Sequence, residues 1–212
     1  MEDIAKMARR TKEDAEQTRE AILDSAMQTF YEKGYSRTTF DEIASRINLT
    51  KGAVYWHFKN KADVVAALIM RKINQDTEEF GDDIISQTID ELRKKVINRA
   101  HRIEKNKDFQ RFLFFMIYRM EWSEAILQNV WAQVGDFCNL PDKKLYNSLL
   151  QIQKNGGIKA DVDIKFLSEI LLSFWNGRIN RYISGRKGNE SITKDLVDGF
   201  DAIMTSVKVE KK

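Results

Sequence analysis

Apolar side chains recur along the chain at three- and four-residue intervals, the spacing that gathers them on one side of a helix. Ile22, Leu23, Ala26, Met27 and Phe30 form one such face, Phe40, Ile43, Ala44 and Ile47 a shorter one, and Val64, Ala67, Leu68 and Ile73 a third. Ile84, Ile85, Ile89, Leu92, Val96 and Ile97 predict a longer helix. Ile126, Leu127, Val130, Trp131 and Val134 continue the pattern, followed by Leu145, Leu149, Leu150 and Ile152. The widest stripe begins at Phe166 and passes through Leu167, Ile170, Leu171, Phe174, Trp175, Arg178, Ile179 and Tyr182 to Ile183. A last face carries Ile192, Leu196, Val197, Phe200 and Ile203. The fold class is therefore all-α, with nine or ten helices and no internal repeat.

Residues that start and stop helices divide the pattern. Thr11 with Asp14, Thr39 with Glu42 and Asn60 with Asp63 have the spacing of capping pairs, and Thr50 can cap a very short helix, residues 51–57. Thr11 would open the first helix after a charged arm bearing Lys6, Arg9, Arg10 and Lys12. Gly34 follows Lys33 as a helix-ending glycine, and Asn155-Gly156-Gly157 is a second stop. Gly185 and Gly188 punctuate the end of the widest stripe. Pro141 marks a break or kink near Leu140.

Composition narrows the class. The 212 residues include one proline, one cysteine and ten glycines. Sandwiches and barrels need turn residues every 8–12 positions, so one proline favours long helices. A single cysteine, Cys138, excludes an internal disulfide framework and a cysteine-based zinc site, and suits a reducing compartment. Cys138 is either a redox sensor or, as is more common, a small buried hydrophobe. The longest apolar stretch, residues 112–118, is bounded by Arg111 and Arg119. It falls far short of the roughly 20 residues needed to span a bilayer. The first ten residues lack an apolar signal region. These features predict a cytoplasmic protein without membrane attachment.

The first four helices are short and the later ones long. That contrast divides the chain into residues 1–60, a small helical module, and residues 61–212, a larger bundle. Helices two and three have helix-turn-helix dimensions. Thr38, Thr39 and Thr50 offer hydroxyls beside helix N-terminal amides, both suited to phosphate. Gly52 would let the backbone approach a duplex closely. Lys51 can reach a base edge or a phosphate, and Tyr55, Trp56 and His57 each carry a donor. Lys61 stands at the start of the fourth helix. Lys and Arg exceed Asp and Glu by three between Arg37 and Lys61, which equals the formal charge of the whole chain, +3. Short helix pairs with aromatic caps also occur inside ordinary bundles, so spacing and charge alone leave DNA binding and plain packing open.

The run from Thr38 through Phe40-Asp41-Glu42-Ile43 to Ala44 adds to this picture. So does the run Leu49-Thr50-Lys51-Gly52-Ala53-Val54-Tyr55-Trp56-His57-Phe58-Lys59-Asn60-Lys61. Together they resemble the N-terminal domain of TetR-family transcriptional repressors. Arg9-Arg10-Thr11-Lys12 and Phe30-Tyr31-Glu32-Lys33-Gly34 are similar to the AcrR branch, which includes repressors of multidrug-efflux operons. The close resemblance covers roughly residues 9–70. It implies a three-helix DNA-binding domain followed by a helical ligand-binding and dimerisation domain. Lys51, Gly52, Tyr55, Trp56 and His57 match the recognition-helix motif, and Thr39 and Lys61 the phosphate-clamp positions. Arg37 and Thr38 are further candidates. The basic arm either tracks the DNA backbone or is a solvated terminus. One departure is Ile47-Asn48, where the family often has small residues and a glycine. Asparagine tolerates the left-handed conformation such a turn needs.

The resemblance also implies a dimer on a palindromic operator, released by a small molecule. One six-residue recognition helix reads few bases, so two half-sites require a two-fold. The Phe166–Ile183 stripe, with the last helix beside it, is either the interface or an intramolecular core helix. For the ligand, the aromatic segment between Phe109 and Trp122 holds six aromatic side chains in fourteen positions. Such a stripe is usually core, yet the adjacent Phe114 and Phe115 cannot face one direction. Leu113, Ile117 and Trp122 on this segment, with Leu172, Trp175 and Asn176, are candidates to line a hydrophobic, aromatic-binding pocket. Asn176 would orient the ligand there or bond a neighbouring helix backbone.

The expected function is a ligand-responsive repressor, most closely of a multidrug-efflux operon. A TetR-type regulator of another pathway such as lipid metabolism, or a helical protein–protein adaptor, are the alternatives. An enzyme is not expected. The two histidines, His57 and His101, lie far apart, and no nucleotide-binding, zinc-protease or serine-hydrolase motif occurs. The pair Asp82-Asp83 suits a helix N-terminus instead. No cofactor and no metal are expected.

Overall fold

A computed structural model describes residues 2–80, 85–135, 140–185 and 191–209, with side chains described for 12–75, 85–135, 142–185 and 191–209. Cys138 and Asp82-Asp83 lie outside the described residues. Ten α-helices occur among those described. They are α1 (Glu2–Lys33), α2 (Phe40–Arg46), α3 (Lys51–His57), α4 (Lys61–Phe80), α5 (Ile89–Lys105), α6 (Lys107–Phe114), α7 (Glu124–Val134), α8 (Leu140–Lys154), α9 (Ile164–Ile183) and α10 (Ile192–Val207). A π-type turn, Phe115–Arg119, follows α6 directly.

The chain packs as two compact units. One comprises Met1–Lys72 and Phe115–Gly135, the other Ile73–Phe114 and Asp136–Lys212. Helix α4 is continuous across the boundary at Lys72.

In the first unit, α1 and α4 hold the two short helices. Ile22, Leu23 and Phe30 of α1, Ile43 of α2, Val54 of α3 and Val64, Val65 and Leu68 of α4 are fully buried. A seven-residue helix is marginal alone, so α2 and α3 owe their stability to this packing. The buried Ser25 hydroxyl donates to the Ile43 carbonyl at 2.7 Å and ties α1 to α2. Phe115 is fully buried and stacks on Phe30, with ring centroids 5.0 Å apart.

Several elements differ from their sequence pattern, and α1 and α4, expected to be short, are 32 and 20 residues long. Helix α1 begins at Glu2, not after Thr11. The arm is rich in good helix formers and has neither proline nor glycine, so nothing halts propagation back through it. The aromatic segment is not one helix. Helix α6 passes at Phe115 into a wider turn, closed by the Met120 amide donating to the Phe115 carbonyl at 2.8 Å. Phe112 and Phe115, three positions apart, share one helical face and are both buried, and the extra residue of the wide turn shifts only the side chains that follow Phe115.

The second unit is built on α5, α8, α9 and α10. Leu92, Leu149, Ile152, Ile158, Leu167, Leu171, Phe200 and Met204 form one cluster. Ala100, Ile103, Ile179, Ile192 and Leu196 form another. Arg93 forks onto Asp201, its Nε and Nη2 both donating at 2.7 Å. Ile85 lies ahead of α5, because Thr88 caps the helix and accepts from the Glu91 amide. Gly156 has a φ of 76° and ends α8 as the Asn-Gly-Gly sequence predicts. Pro141 sits in the first turn of α8, where its missing N–H costs no helical hydrogen bond.

Candidate nucleic-acid interface

The α2–α3 pair is set by local chemistry that its sequence spells out. Thr39 caps α2: it accepts from the Glu42 amide, while the Glu42 carboxylate accepts from the Thr39 amide at 3.0 Å. Thr50 caps α3 by accepting from the Ala53 amide at 3.2 Å. Asn48 has a φ of 55°, the only positive value of a non-glycine residue among the described positions. The left-handed residue turns the chain so that the Leu49 amide reaches the Ala44 carbonyl at 2.9 Å. Asn60 and Asp63 cap each other at the start of α4.

Helix α3 buries one side chain, Val54, and presents the others. Tyr55 is 51% exposed and Trp56 74% exposed. Both are large apolar surfaces ending in a polar donor, and burying either needs a partner that satisfies that donor. The Tyr55 ring meets Phe40 of α2 edge-on at 4.9 Å, and Trp56 meets His57 edge-on at 4.5 Å. These contacts fix the aromatic rims of the helix. Gly52 is exposed, and an added methyl there would meet only the Thr50 hydroxyl at 3.7 Å. Internal packing therefore does not require a glycine at that position.

Five cations on or beside this surface are engaged. Lys51 Nζ lies 2.8 Å from Asp41 Oδ2, and this hydrogen bond and charge hold the Lys51 ammonium above its ordinary pKa. Arg46 pairs with Glu32 at 2.5 Å and Lys33 with Glu42 at 2.5 Å. Arg37 is exposed and its Nε donates to the Lys33 carbonyl at 3.0 Å. Lys61 Nζ donates to the carbonyls of Tyr35 at 2.6 Å and Ser36 at 3.1 Å, and lies 4.6 Å above the Tyr35 ring. Burial pushes the Lys61 ammonium below its ordinary pKa. Burial, then the Arg19 charge, does the same to His57.

Thr38 does not belong to the exposed set. It is 1% exposed and its hydroxyl donates to the Gly34 carbonyl at 2.8 Å, because the loop must satisfy that buried carbonyl. Thr39, Thr50, Lys51, Gly52, Tyr55 and Trp56 are exposed together along α3 and the start of α2, with His57 half-buried beside them. Sequence reasoning missed Asp41, Phe40 and Tyr35 as partners of this surface. Tyr35 lies 26 residues from Lys61, and no local signal connects them.

The residues considered for a pocket are divided. Leu113 and Trp175 are partly buried against the same cluster, around Ala100, Ile103 and Ile179. Leu172 is half-buried, whereas Asn176 is exposed on α9. Ile117 and Trp122 belong to the first unit and are 37% and 38% exposed.

A profile described as bacterial regulatory proteins, tetR family, matches residues 22–68, which span the end of α1, all of α2 and α3 and the first part of α4. The HTH-type transcriptional regulator TtgR of Pseudomonas putida is 51% identical over 188 residues, covering 84% of this chain and 85% of that one. SrpR, also from Pseudomonas putida, is 31% identical over 200 residues, covering 93% of this chain and 90% of SrpR. The crystal structure of NalD from Pseudomonas aeruginosa superposes with a TM-score of 0.76 at 23% identity. It covers 93% of this chain and 98% of NalD, which establishes a shared fold. SmeT, from Stenotrophomonas maltophilia, superposes in its triclosan complex with a TM-score of 0.75 at 23% identity, covering 92% of this chain and 93% of SmeT. With a helix-turn-helix held between α1 and α4, and half of the aligned residues shared with TtgR along most of both chains, this protein belongs to the TetR family of bacterial transcriptional regulators.

Proposed function

We propose that this DNA-binding regulator is a homodimeric repressor of a multidrug-efflux operon, released from its operator by a small hydrophobic molecule. The exposure of Tyr55 and Trp56 beside Lys51, on a helix that buries only Val54, carries the DNA-facing assignment. Thr39, Thr50, Gly52 and His57 complete the surface, with Arg37 at its edge. Thr50 and Thr39 cap the starts of α3 and α2, and both are exposed hydroxyl residues of a kind that suits phosphate. Lys61 contributes through the loop it organises.

Kinship supports the operon. NalD is described as the secondary repressor of the MexAB-OprM multidrug efflux pump. SmeT is described as the repressor of the multidrug efflux pump SmeDEF. The complex of SmeT with triclosan, a hydrophobic aromatic compound, supports the effector class. In this chain Leu113, Leu172 and Trp175 are the favoured contacts, and Asn176 a polar one nearby. For the dimer, Phe166 is 60% and Ile170 37% exposed on one side of α9, more apolar surface than a solvated helix needs.

Release follows from linkage. An effector that binds better to a conformation with misplaced recognition helices lowers operator affinity by the factor by which DNA lowers effector affinity. Helix α4, continuous from one unit into the other, is the element that can carry the change. The test is a gel shift on DNA upstream of the protein's own gene, with triclosan titrated in. A retarded band that triclosan weakens is expected. A band that no hydrophobic aromatic compound weakens would refute effector release.

A further inference from the structure

The candidate DNA-facing surface has more positive than negative residues, yet the cation that opens α3 does not stand free. Lys51, the first residue of α3, is held 2.8 Å from the carboxylate of Asp41, in the first turn of α2. The pair is built on a fixed frame. Phe40, next to Asp41, meets Tyr55, one turn after Lys51, with ring centroids 4.9 Å apart. Phe40 is 6% exposed, and the Thr39–Glu42 capping box fixes the turn that carries Asp41. Asp41 is thus anchored where Lys51 must leave the protein for DNA. Both groups are about half-exposed, 49% for Lys51 and 60% for Asp41, so water can exchange for either partner.

We propose that Asp41 is a specificity-determining residue, which withholds Lys51 from arbitrary duplex and yields it only to a correctly shaped site. The inference rests on α3 as the DNA-reading helix. Binding to arbitrary sequence is almost entirely phosphate electrostatics with released counterions. In that loose encounter Lys51 has no well-placed acceptor, so exchanging the carboxylate for a phosphate gains little. Asp41 also brings a negative charge towards the backbone. At a correct site α3 lies in the major groove, and Lys51 meets a fixed base or phosphate acceptor that replaces the carboxylate. The cost of breaking the pair is therefore offset at the operator and not elsewhere. Discrimination arises from a repulsive element as well as an attractive one.

The test compares wild type, Asp41→Asn, Lys51→Gln and the double variant by fluorescence anisotropy. The probes are a random-sequence duplex and a duplex selected from a random pool by the wild-type dimer. Asn is isosteric with Asp, and the Thr39–Glu42 box that holds α2 is left intact. Asp41→Asn is expected to tighten binding to random duplex roughly two- to fivefold, the scale of an exposed ion pair. Its salt dependence should steepen by about 0.9 in log–log slope, one further phosphate neutralised. The selected duplex should gain less, so the specificity ratio falls. In the Lys51→Gln background Asp41→Asn should change the slope little. An unchanged random-duplex affinity in Asp41→Asn would overturn the proposal. So would an equal gain on both duplexes, or a gain that persists without Lys51, since Asp41 would then act only as a distant negative charge. Wild-type protein that binds no duplex would instead overturn the assignment of α3 on which the inference rests.

Discussion

The Lys61 ammonium donates to the carbonyl of Tyr35 at 2.6 Å and lies 4.6 Å above the ring of the same residue. One cation therefore holds both the backbone and the side chain of the loop entering the helix-turn-helix. The Tyr35 amide donates to the Arg119 carbonyl at 3.1 Å, and Ser36 donates to Glu121 at 2.5 Å. The π-type turn is thereby fastened to the same loop.

Lys61→Met keeps most of the apolar stem and removes the charge and both hydrogen bonds. A loss of about 1 kcal/mol is expected, within the range for hydrogen bonds partly shielded from water. Urea unfolding measures it. Duplex affinity should fall with the dimer intact by size-exclusion and with an unchanged salt slope. A slope smaller by about one would place the ammonium on a phosphate instead.

Tyr55→Ala removes an exposed ring that meets Phe40 edge-on. Stability should change little, while operator affinity falls by about 1–3 kcal/mol, the scale of a lost base or phosphate contact. Wild-type affinity in this variant, read by anisotropy, would remove Tyr55 from the interface.

Phe115→Ala opens a cavity beneath Phe30 at a fully buried position. The expected loss is about 3–5 kcal/mol in denaturant unfolding. A loss below 1 kcal/mol would mean that the π-type turn is not packed as described.

Gly199 faces the ring of Phe174, and a methyl group there would overlap it. The overlap involves ring carbons between α9 and α10, not the end of a flexible chain. Gly199→Ala should cost about 1–3 kcal/mol by overpacking. Gly199→Ala with Phe174→Leu should recover part of that loss, which thermal melts of the three proteins would show.

His57 supplies a pH dependence. Burial and the Arg19 charge hold its folded-state pKa below the ordinary value of 6.5. As pH falls through 6.5 the unfolded chain takes up the proton first, so protons draw the equilibrium towards unfolding. Stability from this residue is thus present above 6.5, falls with pH, and levels off below the folded pKa. His57→Gln should flatten that part of the profile when urea midpoints at pH 7.5 and 5.5 are compared. A steeper fall in the variant would reverse the assigned sign.

The sequence by itself determined the local order of the chain. Threonine and asparagine caps, Gly34 and Gly156 act within a few residues, so their spacing revealed where α2, α3, α4 and α8 begin or end. Asn48 could be recognised as the left-handed residue of the turn for the same reason. The motif of residues 49–61 was legible through its resemblance to the TetR family, while spacing and charge alone left DNA binding and plain packing open. Only the tertiary structure decided which groups are spent on the protein itself. Thr38 looked like a phosphate donor until the loop buried it, and Lys51 and Lys61 looked free until Asp41 and Tyr35 were brought to them. Those partners come from separate elements, and helical periodicity carries no information about contacts between elements. The aromatic segment shows the same limit: its spacing announces neither the stacking of Phe115 on Phe30, a residue of a separate element, nor the wide turn that follows Phe115.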